Sequence, residues 1–217
     1  MRSSFDLIIF DLDGTLIEFH QEYLFEQTFK ILEELKHPPV EKSILKHHFS
    51  MFDYFAFVTE RQEHFVETFW TSFDWENFPK PKNIPNALEL LDQLTNAGYS
   101  MAIATARLTT ETALRQELAH TKLLDFISHV STRNSETVDW KDKTEMILGV
   151  CKAHNVPPER TVMIGDVPAD IQSAKQVRIG LSIAVKSGGI KEEVLAATSP
   201  DYIIETIADL QSLMIKG

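Results

Sequence analysis

The sequence predicts an α/β fold, in which a parallel sheet is covered by helices on both faces and a small all-α domain is inserted. Short apolar runs alternate along most of the chain with segments of helical periodicity, a pattern that is typical of parallel sheets. Between residues 17 and 84 this alternation stops, and only helical patterns follow one another. We therefore predict an α/β core formed by residues 1–16 and 85–217, and an α-helical domain formed by residues 17–84.

The first predicted strand covers residues 7–10, a run of apolar side chains that is typical of a strand buried on both faces. It leads directly into Asp11 and Asp13, which Gly14 and Thr15 follow. In extended chain, residues i and i+2 point to the same side, so both carboxylates are expected just past the strand, where open α/β sheets bind ligands. Clustered carboxylates repel each other unless a cation joins them, so this pair indicates a metal-assisted site.

The inserted segment follows at residue 17. Apolar side chains at helical spacing predict one helix through residues 24–35, which ends before the Pro38-Pro39 pair, and another through residues 65–73. Residues 79–85 contain three prolines, too many for the interior of a helix. We therefore predict that they form the linker that returns to the α/β core.

The remaining elements of the core alternate regularly. Strands are predicted over residues 100–105, 127–131, 161–166 and 181–185. Helices are predicted over residues 86–96, 110–120 and 143–154, over a segment that ends at residue 178, and after Tyr202.

Polar side chains recur where these later strands end. Thr105 closes the second strand, and Asp166 closes the strand that begins at residue 161, with Asp170 four residues further on. Between them, Lys141 and Lys143 lie at the predicted start of a helix. An isolated Asp-x-Asp-Gly is more often a turn than an active site, but its recurrence with these groups favours the functional interpretation.

The order of these groups resembles the haloacid dehalogenase-like superfamily of phosphohydrolases, and the resemblance covers the whole chain. It implies a Rossmann-like core and, because the helical insertion follows the first motif directly, a cap that shapes substrate choice. The first and fourth motifs are specific, whereas a single threonine or lysine is weak evidence alone. In chain order, the four motifs are Asp11-x-Asp13-Gly14-Thr15, Thr105, Lys143 and Gly165-Asp166-x-x-x-Asp170.

The side chains suggest the chemistry. Asp11 is an ionised carboxylate at neutral pH and can attack phosphorus without a base. Mg²⁺ is the predicted cofactor, because a cation removes the repulsion between this carboxylate and phosphate. Asp166 is the best further metal ligand, and Asp170 is either another ligand or a partner held through water. The resemblance implies that Asp13 contributes its backbone carbonyl to the metal.

Asp13, Thr105 and Lys143 are assigned the remaining roles. Asp13 is the expected general acid and base, a role that requires an elevated pKa, which crowding with Asp11 would supply. Thr105 is expected to hydrogen-bond the phosphoryl oxygens, although it also fits a simple cap of the next turn. Lys143 is expected to add positive charge where negative charge gathers in the transition state.

Two positions depart from the family pattern. Asparagine often follows the threonine of the second motif, whereas Ala106 and Arg107 follow Thr105 here. Arg107 therefore either contacts the substrate or points to solvent. The Lys-Pro-x-Pro form of the third motif is absent, so Lys141 and Lys143 both remain candidates, and Lys143 is favoured because it opens an apolar helix.

The composition of the insertion is unusual. Fifteen of the 21 aromatic residues and five of the eight histidines lie between residues 17 and 84. A small helical module needs large side chains to build a core, which accounts for most of these rings. Some of them are alternatively expected to close over the active site and exclude water. Arg61, His47 and His48 are candidates for binding a second anionic group.

We therefore predict a Mg²⁺-dependent phosphatase that acts on a small phosphorylated metabolite, similar to phosphoglycolate phosphatases. A hydrolytic dehalogenase would need neither Asp13 nor the Asp166/Asp170 pair. A phosphomutase of the same superfamily stays open as an alternative. So does a non-catalytic binding or regulatory module, although such a module is expected to have lost Asp11 or Asp13.

Composition limits the partners. The formal charge of −11 argues against nucleic acid, and no stretch approaches the roughly 20 apolar residues of a membrane span. Cys151 is the single cysteine, which excludes an intrachain disulfide and suits a reducing cytoplasm, where we expect the protein as a monomer or homodimer.

Overall fold

The computed structural model describes residues 5–74, 76–133 and 141–215. The chain forms two compact units, one made of Met1–Glu18 with Pro81–Gly217 and the other of Phe19–Lys80. The helical unit is shorter than the predicted segment 17–84, because residues 17–18 and 81–84 belong to the larger unit. There the Glu18 amide donates to the Lys82 carbonyl at 2.8 Å, and the Ile84 amide donates to the Leu16 carbonyl at 2.9 Å.

The larger unit is built on a six-stranded sheet in which every pair of neighbours is parallel. The order is β3-β2-β1-β4-β5-β6, so the first strand lies inside the sheet, between β2 and β4. This confirms the predicted α/β class. The strands are β1 (Leu7–Phe10), β2 (Ser100–Leu108), β3 (His129–Arg133), β4 (Thr161–Gly165), β5 (Leu181–Val185) and β6 (Tyr202–Ile204).

Nine α-helices occur in the part of the chain that the structure describes, and several short 3₁₀ turns accompany them. The helices of the smaller unit are α1 (Gln21–Glu34), α2 (Lys42–Ser50) and α3 (Gln62–Ser72). Those of the larger unit are α4 (Ala87–Asn96), α5 (Glu111–Leu118), α6 (Thr144–His154), α7 (Pro168–Gln176), α8 (Glu192–Ala197) and α9 (Leu210–Met214).

Alternation along β1 explains why helices cover both faces of the sheet. Ile8 and Phe10 belong to one apolar cluster, which includes leucines of α4 and α5. Leu7 and Ile9 belong to the opposite cluster, together with apolar residues of α6 and α7. All four side chains are fully buried, as the continuous apolar run predicts.

Several elements differ from their predicted limits. β2 continues three residues past Thr105, and β3 lies two residues later than predicted. The helix predicted after Tyr202 is present as α9, which starts at Leu210, but Tyr202 itself begins a strand, β6, that was not predicted. A strand of three residues is too short to produce a recognisable period, so pairing with β5 defines β6.

The helical unit has an aromatic core of its own. Phe65, Phe69 and Phe73 of α3 and its C-terminal end pack with Ile31 and Leu32 of α1. In a second cluster, Phe25 of α1 packs against residues of α2, with its ring 4.8 Å from the ring of Phe49. Most of these rings therefore supply the core of a small module. Among the described residues, no helix combines the length and the apolar character that crossing a bilayer requires.

Candidate active site

Asp11 and Asp13 lie in a tight turn after β1. The Asp11 amide donates to the Ile164 carbonyl of β4 at 2.8 Å, so the pairing with the next strand continues to this residue. The chain then turns at Gly14, whose φ of +76° lies in the left-handed region that favours glycine. The turn leaves Asp11 buried and Asp13 partly exposed.

Three carboxylates meet at the carboxyl edge of the sheet. Asp11 follows β1, Asp166 follows the adjacent β4, and Asp170 lies in the first turn of α7. Each offers an oxygen that lies within 4.8 Å of the others, and all three residues are buried. We call this group the buried acidic cluster. It brings together three of the residues that the sequence analysis selected.

Lys143 is the basic partner of this cluster. Its Nζ lies 2.5 Å from Asp11 Oδ1 and 2.6 Å from Asp170 Oδ1, and the residue is only 2 % exposed. Ser173 on α7 also holds Lys143, because its hydroxyl oxygen accepts a hydrogen bond from the Lys143 backbone amide at 2.8 Å. Lys141 is exposed, so the structure separates the two lysines that the sequence left as alternatives.

Glycines make room for the carboxylates. A Cβ atom at Gly165 would lie 2.0 Å from Asp170 Oδ2, and one at Gly188 would lie 1.6 Å from Asp166 Oδ2. Asp170 also accepts a hydrogen bond from the Val167 amide at 3.1 Å, which fixes its side chain over the start of α7. The glycine of the fourth motif therefore has a steric role, because it allows Asp170 to fold back against the strand end.

Burial and like charge shift the protonation of the cluster. Burial raises the pKa of Asp166 well above its ordinary value, and repulsion from Asp11 and Asp170 acts in the same direction. Burial also raises the pKa of Asp170 to about 7, even though Lys143 acts against the shift. Burial disfavours the charged form of Lys143, but Asp11 and Asp170 outweigh it and raise the pKa of the ammonium.

The cluster fits a divalent cation. One ammonium faces three buried carboxylates and pairs with only two of them, Asp11 and Asp170. Thr15 adds a hydroxyl that donates to Asp166 Oδ1 at 3.1 Å. Hard divalent cations prefer carboxylate oxygens of this kind. The donor set and the excess of negative charge therefore suit such an ion.

Asp13 has a different set of partners. Arg107 donates from Nε to Asp13 Oδ2 at 2.7 Å and from Nη2 to Asp13 Oδ1 at 2.6 Å. Its Nη1 donates to Glu117 Oε1 at 2.6 Å. We call Asp13, Arg107 and Glu117 the rim group. The expectation that Arg107 contacts substrate or solvent overlooked this arrangement, in which the guanidinium binds two carboxylates of the protein.

Thr105 lies near the end of β2 and is buried. Its hydroxyl oxygen accepts a hydrogen bond from the Arg107 amide at 3.3 Å. The structure therefore places Thr105 beside the rim group. Both simple expectations for this residue, a phosphate contact and a turn cap, are compatible with that position.

The three basic candidates of the helical unit occupy two places, since His47 and His48 are neighbours on α2 and Arg61 precedes α3. Arg61 is exposed at the start of α3, with a φ of +53°. His48 pairs through Nδ1 with Asp53 Oδ1 at 3.0 Å, and His47 is exposed on α2. Their suggested role in binding an anionic group stays a prediction.

Two further contributors were missed from the sequence. Glu117 is one of many acidic residues on amphipathic helices, and nothing local distinguishes it. Ser187 follows β5 and donates to the Gly14 carbonyl at 2.5 Å, directly before Gly188. A signal for this second region exists, because Ser-Gly-Gly follows an apolar strand whose end lies at the same edge of the sheet.

Comparison with known proteins agrees with this geometry. Residues 8–184 match the model of the haloacid dehalogenase-like hydrolase family, which confirms the resemblance and the prediction of a hydrolase. A pyrophosphatase of Oceanobacillus iheyensis is 29% identical over 217 residues, covering 95% of each chain.

Solved structures share the fold. A haloacid dehalogenase-like family hydrolase from Streptococcus pneumoniae superimposes with a TM-score of 0.77 at 19% identity, covering 97% of this chain and 98% of that one. A structure described as a predicted phosphoglycolate phosphatase, from Haemophilus somnus, gives a TM-score of 0.73 at 19% identity, with the same coverage.

Proposed function

Since the chain belongs to the haloacid dehalogenase-like hydrolases, we propose that it hydrolyses a small-molecule phosphate monoester through an aspartyl-phosphate on Asp11. The observation that supports this proposal most is the environment of Asp11, a buried carboxylate that pairs with an ammonium and lies within 4.8 Å of two further carboxylates at the ligand-binding edge of the sheet. An ionised carboxylate needs no base to become a nucleophile.

The buried acidic cluster is the proposed site of a divalent cation, with Mg²⁺ as the ion. Asp11, Asp166 and the backbone carbonyl of Asp13 would hold it, and Asp170 would be a further ligand or a partner through water. When bound, the cation offsets the repulsion between the Asp11 carboxylate and the phosphoryl group and polarises a phosphoryl oxygen. The convergence of three buried carboxylates on a single ammonium supports this position.

The proposed reaction has two steps. In the first, a carboxylate oxygen of Asp11 forms a bond to phosphorus, the bond from phosphorus to the ester oxygen breaks, and Asp13 gives the departing alkoxide a proton. In the second, water attacks phosphorus, its proton passes to Asp13, and the bond to Asp11 breaks. Inorganic phosphate leaves, and both aspartates return to their starting state.

Lys143 and Thr105 are the proposed phosphate-binding residues. The Lys143 ammonium already touches the nucleophile, so its charge lies where negative charge accumulates during transfer. Thr105 lies close to the end of β2, next to β1, and its hydroxyl is available to donate because it accepts in the contact with Arg107.

The substrate class follows from the family and the relatives. The Oceanobacillus relative is named a pyrophosphatase, and the Haemophilus structure is described as a predicted phosphoglycolate phosphatase. We therefore propose a small phosphorylated metabolite as substrate and the segment 17–84 as the cap that selects it, with Arg61, His47 and His48 as candidate contacts. A cytoplasmic location and a monomeric or homodimeric state stay predictions.

The test combines a substrate screen with trapping of the intermediate. Purified protein with Mg²⁺ is expected to release phosphate from at least one member of a panel of phosphorylated metabolites. Acid quenching during turnover of that substrate, labelled with ³²P, is expected to leave hydroxylamine-sensitive label on the protein. Asp11→Asn is expected to lose the label and at least about 10³-fold in kcat.

The matched control is Asp92→Asn, which makes the same chemical change at an exposed position of α4. This variant is expected to behave like the wild type. Hydrolysis without label on the protein, or full activity of Asp11→Asn, would contradict the proposal. Return of the phosphoryl group to a substrate molecule rather than to water would indicate the phosphomutase alternative.

A further inference from the structure

We propose that Arg107 is a positioning residue, which holds the carboxylate of Asp13 in one orientation, and that Glu117 in turn orients Arg107. This inference rests on the proposed function, in which Asp13 carries a proton. It adds a role for two side chains outside the four motifs.

The geometry of the Arg107–Asp13 contact fixes both distance and rotation. Two nitrogens of the guanidinium donate to the two oxygens of one carboxylate, at 2.7 Å and 2.6 Å. A bidentate contact of this kind fixes the plane of the carboxylate, whereas a lysine would bind it as a point charge. Each Asp13 oxygen keeps a second lone pair for a substrate or water.

Glu117 restrains the guanidinium from the other side. Its Oε1 accepts from Arg107 Nη1 at 2.6 Å, and it lies on the last turn of α5. Arg107 is thus held by carboxylates from two different elements, the turn after β1 and a helix. Burial disfavours the charge of Arg107, but Asp13 and then Glu117 outweigh that effect and raise the pKa of the guanidinium.

An irregularity of β2 places Arg107 at this position. The pairing of β2 with β3 shifts register between Thr105 and Leu108. Irregularities of this kind redirect side chains and are common beside active sites. At the same point, the Arg107 amide donates to the Thr105 hydroxyl oxygen at 3.3 Å. One residue therefore links a proposed phosphate ligand to the proposed proton carrier.

A double-mutant cycle tests whether Arg107 acts through Asp13. Arg107→Gln is expected to lower kcat for an unactivated alkyl phosphate by about 10–100-fold, because a small displacement of a reacting group is costly. KM is expected to change by less than about threefold. In the Asp13→Asn background, the same substitution is expected to have almost no further effect, because its target is already absent.

Other results would overturn the inference. Losses that multiply in the double variant would show that Arg107 acts independently of Asp13. A rise in KM at constant kcat would show that Arg107 binds the substrate directly. Either result, with Asp11→Asn inactive, would leave the proposed function intact. An active Asp11→Asn would remove the proposed function itself.

Conservative variants keep the test independent of folding. Arg107→Lys keeps the positive charge but lacks the two-pronged guanidinium, so its activity is expected to lie between that of Arg107→Gln and that of the wild type. Glu117→Gln is expected to lower kcat less than Arg107→Gln does. Combining Glu117→Gln with Arg107→Gln is expected to cause no further loss of kcat. Arg115→Gln is the control, since Arg115 lies on α5, as Glu117 does, and pairs with Glu111 at the surface. A thermal unfolding midpoint close to that of the wild type qualifies each variant.

Discussion

The buried acidic cluster and the rim group are built from the same kinds of side chain, but their environments differ. The cluster contains three buried carboxylates and one ammonium, which pairs with two of them. The rim group contains two partly exposed carboxylates and one guanidinium, which donates to both of them. The cluster therefore has more carboxylates than its one ammonium can pair with in a buried environment, whereas both carboxylates of the rim group are paired and partly exposed.

This difference indicates which acidic residues bind a cation and which serve another purpose. Buried carboxylates that exceed their basic partners are costly and gain most from a bound metal. A carboxylate that is already bidentately paired gains little and is better suited to hold a defined orientation. Sequence spacing alone does not separate the two kinds, since Asp11 and Asp13 are neighbours in one motif.

The largest expected effect concerns Asp166 in the cluster. Asp166→Asn is expected to lower activity by about 10³-fold or more and to remove the stabilisation that Mg²⁺ gives the wild type. Without metal, the free energy of unfolding is expected to rise, because the variant lacks a buried carboxylate whose charged form is disfavoured. Thermal unfolding in EDTA and in Mg²⁺ measures both changes. A Mg²⁺ shift equal to that of the wild type would argue against a metal at the cluster.

The next effect concerns the ammonium inside the cluster. Lys143→Met leaves Asp11 and Asp170 buried without their partner, so the free energy of unfolding in EDTA is expected to fall by about 3–5 kcal/mol. Denaturant unfolding measures this loss. Lys42→Met removes an exposed ion pair with Glu22 and is expected to stay close to the wild type. Equal effects of the two substitutions would remove the distinction between buried and exposed pairs.

A smaller effect is expected from the glycine that faces Asp166. The methyl group of Gly188→Ala would meet Asp166 Oδ2 at 1.6 Å, so the carboxylate or the loop must move. The affinity for Mg²⁺, measured by calorimetric titration, is expected to fall by about tenfold. Gly149→Ala adds the same group where nothing lies within 4 Å, and serves as the control. An unchanged affinity in Gly188→Ala would show that the position of Asp166 is not critical.

The last effect, which builds up gradually with pH, is a change in the stability of the metal-free protein. The folded state raises the pKa of Asp170 from 3.8 to about 7, mainly through burial, so it binds a proton that the unfolded state has lost. Between these values, stability therefore falls as the pH rises, by at most about 1.4 kcal/mol per unit. The wild type is expected to lose stability relative to Asp170→Asn over this range. Denaturant unfolding of both proteins at several pH values measures the difference in stability. A wild type that gains stability relative to Asp170→Asn as the pH rises would contradict the prediction.

Much of the fold and of the buried cluster could be predicted from local sequence. Apolar runs that end in polar residues indicate parallel strands, and the ends of parallel strands meet at one edge. This reasoning places Asp11 and Asp166 at the same edge of the sheet, where the structure has them. It did not identify β6, because a strand of three residues is too short to show a recognisable alternation of apolar and polar side chains.

The rim group could not be predicted, because it depends on details that local patterns do not encode. The register shift in β2 aims Arg107 at Asp13, and the packing of α5 brings Glu117 to the other side. The burial of Lys143 and its ion pairs with Asp11 and Asp170, which distinguish it from the exposed Lys141, are likewise determined by the tertiary structure. Local pattern thus predicts which strand ends meet, whereas tertiary packing decides which charges pair.

The interior position of β1 also has a consequence for how the polypeptide acquires its shape. Leu7 pairs with Ser100 on one side and with Thr161 on the other, so both partners are distant along the chain. Because such long-range pairings form slowly, the nascent chain exposes the apolar residues of β1 until much later residues have been translated. The intervening helices have short-range contacts and an independent core, so they are expected to become ordered first. Chaperone association during synthesis would then concentrate on the segment that ends in the nucleophile.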